Sequence, residues 1–393
     1  MTTSPLAGNR TFRCLLLLTA LHFGALSGLL LAGRWIRELG GSESQLGWFS
    51  ASIVPGIVCG AWMAGRLAAH IGEKRLIIGG IFLTGILTAT FAGFDQISAW
   101  FVPIRFGQGF GHGMVFTSLI SLTAHSVSNP QKSQGMGYIA LCAQLGNASG
   151  VAIAENLLLP HGFAFLFLGC SALTLFAWVA ATRLPRFAAT NENNPEIAGG
   201  MIPTALQNGL AILFFVILGG SYGTVLQLIP LLVADLAHAA SPAPHATPVM
   251  AAIFFTVAAC RLFLARLADS RFRQPVLIAS TLLLIVATAG WPLTQSIGEM
   301  VVVAIFFALG YGLLFPGLNG LVLSSIASSW RSRASGRIVM AFDGGFFGLL
   351  LLLGPIAETF GYMAMFAILG LLQLAAALLF LAMIRQVIAR RNA

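Results

Sequence analysis

Twelve apolar runs follow one another along this chain, each about the 20 residues that a helix needs to cross a bilayer. They cover residues 12–36, 45–68, 76–94, 98–124, 135–158, 162–183, 204–234, 248–268, 275–293, 298–325, 335–357 and 361–384. Inside hydrocarbon every backbone N–H and C=O must find a partner within the protein, and an unbroken run of this length does so as a helix. Composition agrees. Of 393 residues, 58% are hydrophobic and 8% charged, against about 25% charged in a soluble domain. So few charges cannot cover a water-facing surface. The chain reads as an all-α membrane protein with twelve transmembrane helices, its first apolar run retained rather than cleaved.

The net charge is +9, but the basic residues are scattered between apolar runs and form no patch for nucleic acid. Arg34 and Arg37 fall in the first outer loop, and Arg105 and Arg261 fall within spans. The other Lys and Arg, among them Arg66, Lys74, Arg75, Lys132, Arg183, Arg266, Arg271, Arg331 and Arg385, lie on or near one side. Cytoplasmic loops are enriched in Lys and Arg, so that side is expected to be cytoplasmic, with both termini on it. Cys14, Cys59, Cys142, Cys170 and Cys260 sit inside apolar runs without metal-ligand spacing, and read as small packing residues.

The longest polar inner stretch, PRFAATNENNPEIAGG, reads as a linker. It divides the chain into a six-helix bundle over 1–184, a cytoplasmic linker over 185–203 and a second bundle over 204–393. The halves repeat. GYIALCAQLGNASG begins at Gly137 and GRIVMAFDGGFFG at Gly336; GRLAAHIGEKR begins at Gly65 and ARLADSRFR at Ala265. Repeated six-helix halves related by an axis along the membrane normal are a transporter architecture with its site at the midplane.

Two of these segments carry a family resemblance. Gly65, Leu67, Ala68, Gly72 and Lys74 match the loop after the second span of the major facilitator superfamily, with Ala69 where that family has Asp. Arg105, Gln108, Gly109 and Gly111 match its fourth-span signature, Arg-x-x-Gln-Gly-x-Gly. Gly146 and Gly150 match half of its fifth-span antiporter signature, while Val151, Ala154 and Glu155 replace the Pro and the final glycines. The chain resembles the drug-efflux-like bacterial exporters of that superfamily. The resemblance implies two pseudo-symmetric six-helix bundles, export of a small molecule, and gating loops around Gly65, Gly72, Lys74, Arg266 and Asp269.

The stretch RFGQGFGHG places Gly107, Gly109, Gly111 and Gly113 inside the fourth span. No strand precedes them, so they read as small faces for helix packing and not as a phosphate cradle. Arg105 is a charge at mid-span, which is costly unless it faces the bundle interior with partners. Asp343 lies about 12 Å into the eleventh span, counted from Ser335 at 1.5 Å per residue. Dehydration there favours its neutral form and a nearby arginine, Arg261 or Arg337, its charged form, so it is the leading candidate for carrying protons. His22 and His112, both central in their spans, are further proton-coupling candidates. Gln108, Gln144, Asn147 and Arg261 are candidates for binding a polar substrate. Glu155, about 30 Å along its helix from Gly135, reads as a solvated carboxylate at the outer helix end.

No clustered nucleophile, base and metal set appears, so an enzyme ranks last. No Gly-x4-Gly-Lys-Ser/Thr loop appears either, so ATP is not the expected energy source. No cofactor and no metal is expected. The expectation is a monomeric secondary transporter in a bacterial inner membrane. Its partners are a small-molecule substrate, protons and the lipid bilayer, and it exports a drug, sugar or siderophore-like metabolite. The alternatives are an importer or uniporter of the same fold, or a non-transporting receptor or scaffold.

Overall fold

The computed structural model describes residues 9–127, 132–184, 205–237, 245–264, 273–324 and 331–392, and every regular element among them is helical. The expected linker over 185–203, with Arg266 and Asp269, lies outside the described residues. The helices, in chain order, are α1 (Arg10–Glu38), α2 (Glu43–Ala68), α3 (Glu73–Gly93), α4 (Phe101–Ser126), α5 (Gln134–His161), α6 (Phe163–Thr182), α7 (Ala205–Ala237), α8 (Thr247–Leu264), α9 (Arg273–Gly290) and α10 (Ile297–Ser324). A last helical segment, Arg331–Asn392, breaks at Gly361, whose φ of 80° and ψ of 169° are not helical. It divides there into α11 (331–360) and α12 (362–392).

Among the described residues, ten segments are long and apolar enough to cross a membrane by length and composition. One of the ten, Arg337–Leu379, holds both α11 and α12. The helix outside the ten is α4, which carries Arg105, Gln108 and His112 among its apolar residues. The twelve expected spans are therefore all present as helices. Many large apolar side chains point outward, Phe263 (77% exposed) and Phe360 (72%) among them, as suits a lipid surround.

Contacts divide the chain into two compact units. Unit 1 holds residues up to Gly41, Ser52–Asn191 and His245–Ala258; unit 2 holds Ser42–Ala51, Glu192–Pro244 and Ala259–Ala393. The units are thus not simply the first and second halves of the chain. The start of α2 groups with unit 2, and the start of α8 groups with unit 1.

Lipid supplies little hydrophobic drive to bring helices together, so close packing of small residues must do it. The glycine run of α4 serves that end in unit 1. A Cβ on Gly109 or Gly113 would run into the carbonyl oxygens of Ile53 or Ile57 on α2. In return, Gly56 and Gly60 of α2 lie against the carbonyls of Phe106 and Phe110. Gly111 faces the other way, with a Cβ built there 2.5 Å from the Thr84 hydroxyl and 2.6 Å from the Gly80 carbonyl on α3. Gly146 and Gly150, half of the antiporter signature, pack α5 onto the backbone of Ala20 and Gly24 in α1.

The repeat recurs in these contacts. Gly345 stands 199 positions after Gly146, at the displacement that relates Gly137 to Gly336. It packs α11 onto the Val216 carbonyl of α7 in unit 2, as Gly146 packs α5 onto α1. Gly219 and Gly223 of α7 lie against the carbonyls of Phe342 and Phe346 in return. Thr88 and Thr288, 200 positions apart, also match, although the glutamines that serve them, on α4 and α12, are not related by the repeat. Each accepts from a glutamine amide, Gln108 at 2.8 Å and Gln373 at 2.9 Å, and each donates to the carbonyl one turn back.

After α2, Gly72 turns the chain into α3 with a φ of 79°, a conformation that favours glycine. Lys74 then donates from Nζ to the carbonyls of Thr182, at 2.6 Å, and Leu184. It closes the C-terminus of α6, where a cation is favourable. Gly65 has open space where a side chain would go.

These contacts predict a sharp contrast. Gly109→Val should cost about 1–3 kcal/mol by overpacking and lower the unfolding temperature of the protein in detergent. Gly79→Ala, on a helix face with nothing within 4 Å of the added carbon, should leave that temperature unchanged or raise it, since Ala is the better helix former.

Candidate functional site

Unit 1 carries a string of polar side chains through its apolar centre. Arg105 is 4% exposed and Gln108 0%. The guanidinium donates from Nη1 to Gln108 Oε1 at 3.0 Å, one turn along α4. Gln108 Nε2 in turn donates to Thr88 Oγ1 on α3 at 2.8 Å. Thr88 Oγ1 donates to the Thr84 carbonyl, and Thr84 Oγ1 to that of Gly80, both at 2.8 Å. The glycine at 111 makes this possible, because any side chain there would hold α4 away from Thr84. A charge in such surroundings is tolerated when polar partners surround it, which the string supplies.

Two turns along α4 from Arg105, His112 meets His22 of α1. His22 Nε2 and His112 Nδ1 are 3.0 Å apart, with the rings stacked at 11° and 5.2 Å between centroids. Phe23 closes edge-on against both rings, and Phe116 stacks on His112. Arg105 is near enough to act electrostatically on His112. His22 is fully buried, and its Nδ1 has no hydrogen-bond partner among the described residues. A hydrogen-bonded imidazole pair holds one N–H between two nitrogens. It can hand a proton across by exchanging tautomers.

Unit 2 has a second cluster. Asp343 of α11 is half-buried, as is Arg261 of α8. Near both is Tyr311 of α10, 3% exposed. The Arg261 guanidinium donates to the Tyr311 hydroxyl, and Asp343 lies within electrostatic reach of that hydroxyl. Tyr222 stacks on Tyr311 at 4.0 Å and 8°, and Phe315, Phe342 and Phe346 extend the aromatic wall. Arg261 sits in a π-helical turn, Cys260–Leu264, a distortion that often marks functional sites. Arg337, the other partner considered from sequence, is exposed. Among the described residues, the Asp343 carboxylate is in no ion pair.

Gln144 is 6% exposed and Asn147 half-buried, three residues apart on α5. Gln144 stands 199 positions before Asp343. The repeat therefore places an amide in unit 1 where unit 2 has its acid.

Glu155 corrects the sequence reading. It is not a solvated helix-end carboxylate but 2% exposed, within a π-helical turn, Ala154–Leu158. Arg34 Nη1 donates to its Oε1 at 3.2 Å, an ion pair, and the Ala246 amide donates to the same oxygen at 2.9 Å. The Thr247 amide and hydroxyl donate to Oε2 at 2.6 and 2.7 Å. Sequence reasoning missed this cluster because its donors are remote in sequence and two of them are backbone groups. The one available signal was the acid itself, standing where the fifth-span signature has a glycine. Among the described residues no group of three or more His, Cys, Asp or Glu that could hold a metal ion is found.

The family model described as Major Facilitator Superfamily matches residues 14–349. A 3-(3-hydroxy-phenyl)propionate transporter of Escherichia coli (strain K12) is 33% identical over 85 residues, 21% of this chain and 21% of that protein. The MFS-type transporter SLC18B1 of Rattus norvegicus is 29% identical over 119 residues, 28% of this chain and 26% of its own length. The chain thus spans about a fifth to a quarter of the curated relatives it matches. Among solved structures, the nucleoside transporter NupG superposes with a TM-score of 0.75 at 15% identity, covering 95% of this chain and 99% of that one. A bacterial homolog of the human lysosomal transporter Spinster, inward-facing and occupied, scores 0.73 at 14% identity over 97% and 98%. The human organic anion transporter MFSD10 scores 0.68 at 16% over 96% and 100%. At these identities the likeness shows the fold alone. The family match over most of the chain does more: this multi-pass membrane protein belongs to the major facilitator superfamily of transporters.

Proposed function

We propose that this chain is a proton-coupled exporter of a small polar or amphipathic molecule, working by alternating access between two six-helix halves in a bacterial inner membrane. Both termini are then cytoplasmic, on the side where basic loop residues collect. The observation that carries the reading is Asp343, a half-buried acid in no ion pair among the described residues, beside a tyrosine that an arginine holds. Such a carboxylate can gain and lose a proton without first breaking an ion pair. Protonation neutralises it and favours one facing state; substrate binding favours release of the proton. The His22–His112 pair, with Arg105 near it, is the proton relay of unit 1 in this scheme. Gln108, Gln144, Asn147 and Arg261 supply amides and a cation for polar groups of the substrate. The relatives' named substrates, a hydroxyphenyl propionate, a nucleoside and an organic anion, are all small polar or amphipathic organic molecules. A drug, a sugar or a siderophore-like metabolite fits the same description.

The replacement of the fifth-span proline and final glycines by Val151, Ala154 and Glu155 favours a second reading, import or uniport by the same fold. Everted membrane vesicles separate the two. An exporter exchanging protons for substrate should accumulate substrate when the vesicle lumen is acidic, because the lumen corresponds to the cell exterior. A proton-coupled importer should lose substrate from the lumen under that gradient, and a uniporter should ignore it.

The acid has its own test. Asp343→Asn, nearly isosteric and unable to titrate, should bring gradient-driven efflux to background while leaving expression and helix content intact. Efflux at the parental rate removes Asp343 from the mechanism. For the relay, His112→Phe keeps a ring between Phe23 and Phe116 and removes both nitrogens. It should shift the dependence of efflux on cytoplasmic pH. An unchanged profile assigns the histidine pair to packing.

A further inference from the structure

The alternating-access reading does not use Glu155, yet its carboxylate is buried and enclosed by donors. Its four donors are two backbone amides, a hydroxyl and a guanidinium. The amides belong to Ala246 and Thr247, at the first turn of α8. A helix N-terminus needs acceptors for its free N–H groups, normally a Ser, Thr, Asp or Asn side chain at the cap. Here the residue before Thr247 is alanine, which offers none. Glu155 supplies from α5 the acceptor that α8 lacks, and its negative charge complements the positive end of the helix dipole. Asn156 adds a bond from Nδ2 to Thr247 Oγ1 at 3.1 Å.

The same helix changes character within a turn of where it changes unit. Through Ala258 it groups with unit 1, and from Ala259 onward with unit 2. Its α-helical part ends at Ala259, and the π-helical turn Cys260–Leu264 follows. A π-turn carries an extra residue per turn and a weakened hydrogen-bond ladder, a natural site for bending. The segment Ser42–Ala51 behaves in parallel within unit 2. It is held there by Tyr362 Oη donating to Glu43 at 2.9 Å and by Ser44 donating to Glu358. It ends at a turn, Ser52.

We infer that Glu155 is a positioning residue for transport: its carboxylate is a latch that holds the first turns of α8 in unit 1, and α8 pivots at Cys260–Leu264 when the latch releases. The inference rests on the alternating-access reading for its purpose, but not for its test. Release leaves the helix N-terminus uncapped, so the latched state is favoured until another state offers compensating contacts.

Hydrogen–deuterium exchange on the full chain in lipid nanodiscs tests it without any substrate, so failure of the transport reading leaves the result standing. Glu155→Ala should speed exchange at Ala246 and Thr247 by roughly ten- to a hundredfold, the loss expected for bonds to a charged acceptor. Glu155→Gln, a neutral acceptor of the same shape, should fall between. Protection across Phe101–Ser126 should stay as in the parent. Unchanged exchange at Ala246 and Thr247 in Glu155→Ala overturns the latch. A fold defect, seen as lost protection across Phe101–Ser126, passes the decision to a second protein, Asn156→Cys with Thr247→Cys, cross-linked by oxidation or by a short bis-methanethiosulfonate. Locking the latch should slow exchange at Cys260–Leu264, reversibly on reduction. Exchange there at the parental rate overturns the pivot.

Discussion

Backbone-to-backbone contact between helices is the constraint on which the rest of this structure stands. Between helices in lipid there is little gain from burying one apolar side chain against another, since the tails are as apolar as leucine. Affinity must come from close fit. Gly109 and Gly113 against Ile53 and Ile57, with Gly56 and Gly60 against Phe106 and Phe110, form a reciprocal contact that no side chain larger than hydrogen permits. The α1–α5 pair in unit 1 and the α7–α11 pair in unit 2 use the same device through Gly146 and Gly345. Each helix so placed carries a polar residue that the packing then positions.

That positioning explains how an arginine survives inside an apolar bundle. The closeness of α3 and α4 at Gly111 brings Thr88 within reach of Gln108, and Gln108 offers its carbonyl to Arg105. Unit 2 answers with a different chemistry: Tyr311 takes the Arg261 proton donor, and the acid is left without an ion pair among the described residues. The halves therefore share a backbone plan and differ in titratable content, with Gln144 at the position of Asp343. In the proposed cycle the proton chemistry is correspondingly asymmetric.

Glu155 shows how a packing position can change its work. A signature glycine there would contribute only closeness. A glutamate reaches the N-terminus of a helix that lacks its own cap. The substitution exchanges a steric contact for a set of charge-assisted hydrogen bonds, which are stronger and directional.

Length and apolarity of the runs determined the number and kind of helices, because hydrocarbon leaves the backbone no other way to satisfy its hydrogen bonds. The 199-residue repeat foretold that Gly146 and Gly345 would sit alike. Arg105, His22 and His112 were legible as interior residues because a polar side chain at mid-span must face protein. Depth along a helix, counted in residues, misjudged Glu155, since it measures position along one axis and says nothing of what lies beside it. Which histidine meets which, that Arg261 serves Tyr311, and that the first turns of α8 borrow a cap from α5 were decided only by tertiary structure. Each depends on the rotation and crossing of helices remote in sequence, and on backbone groups that carry no residue identity to read.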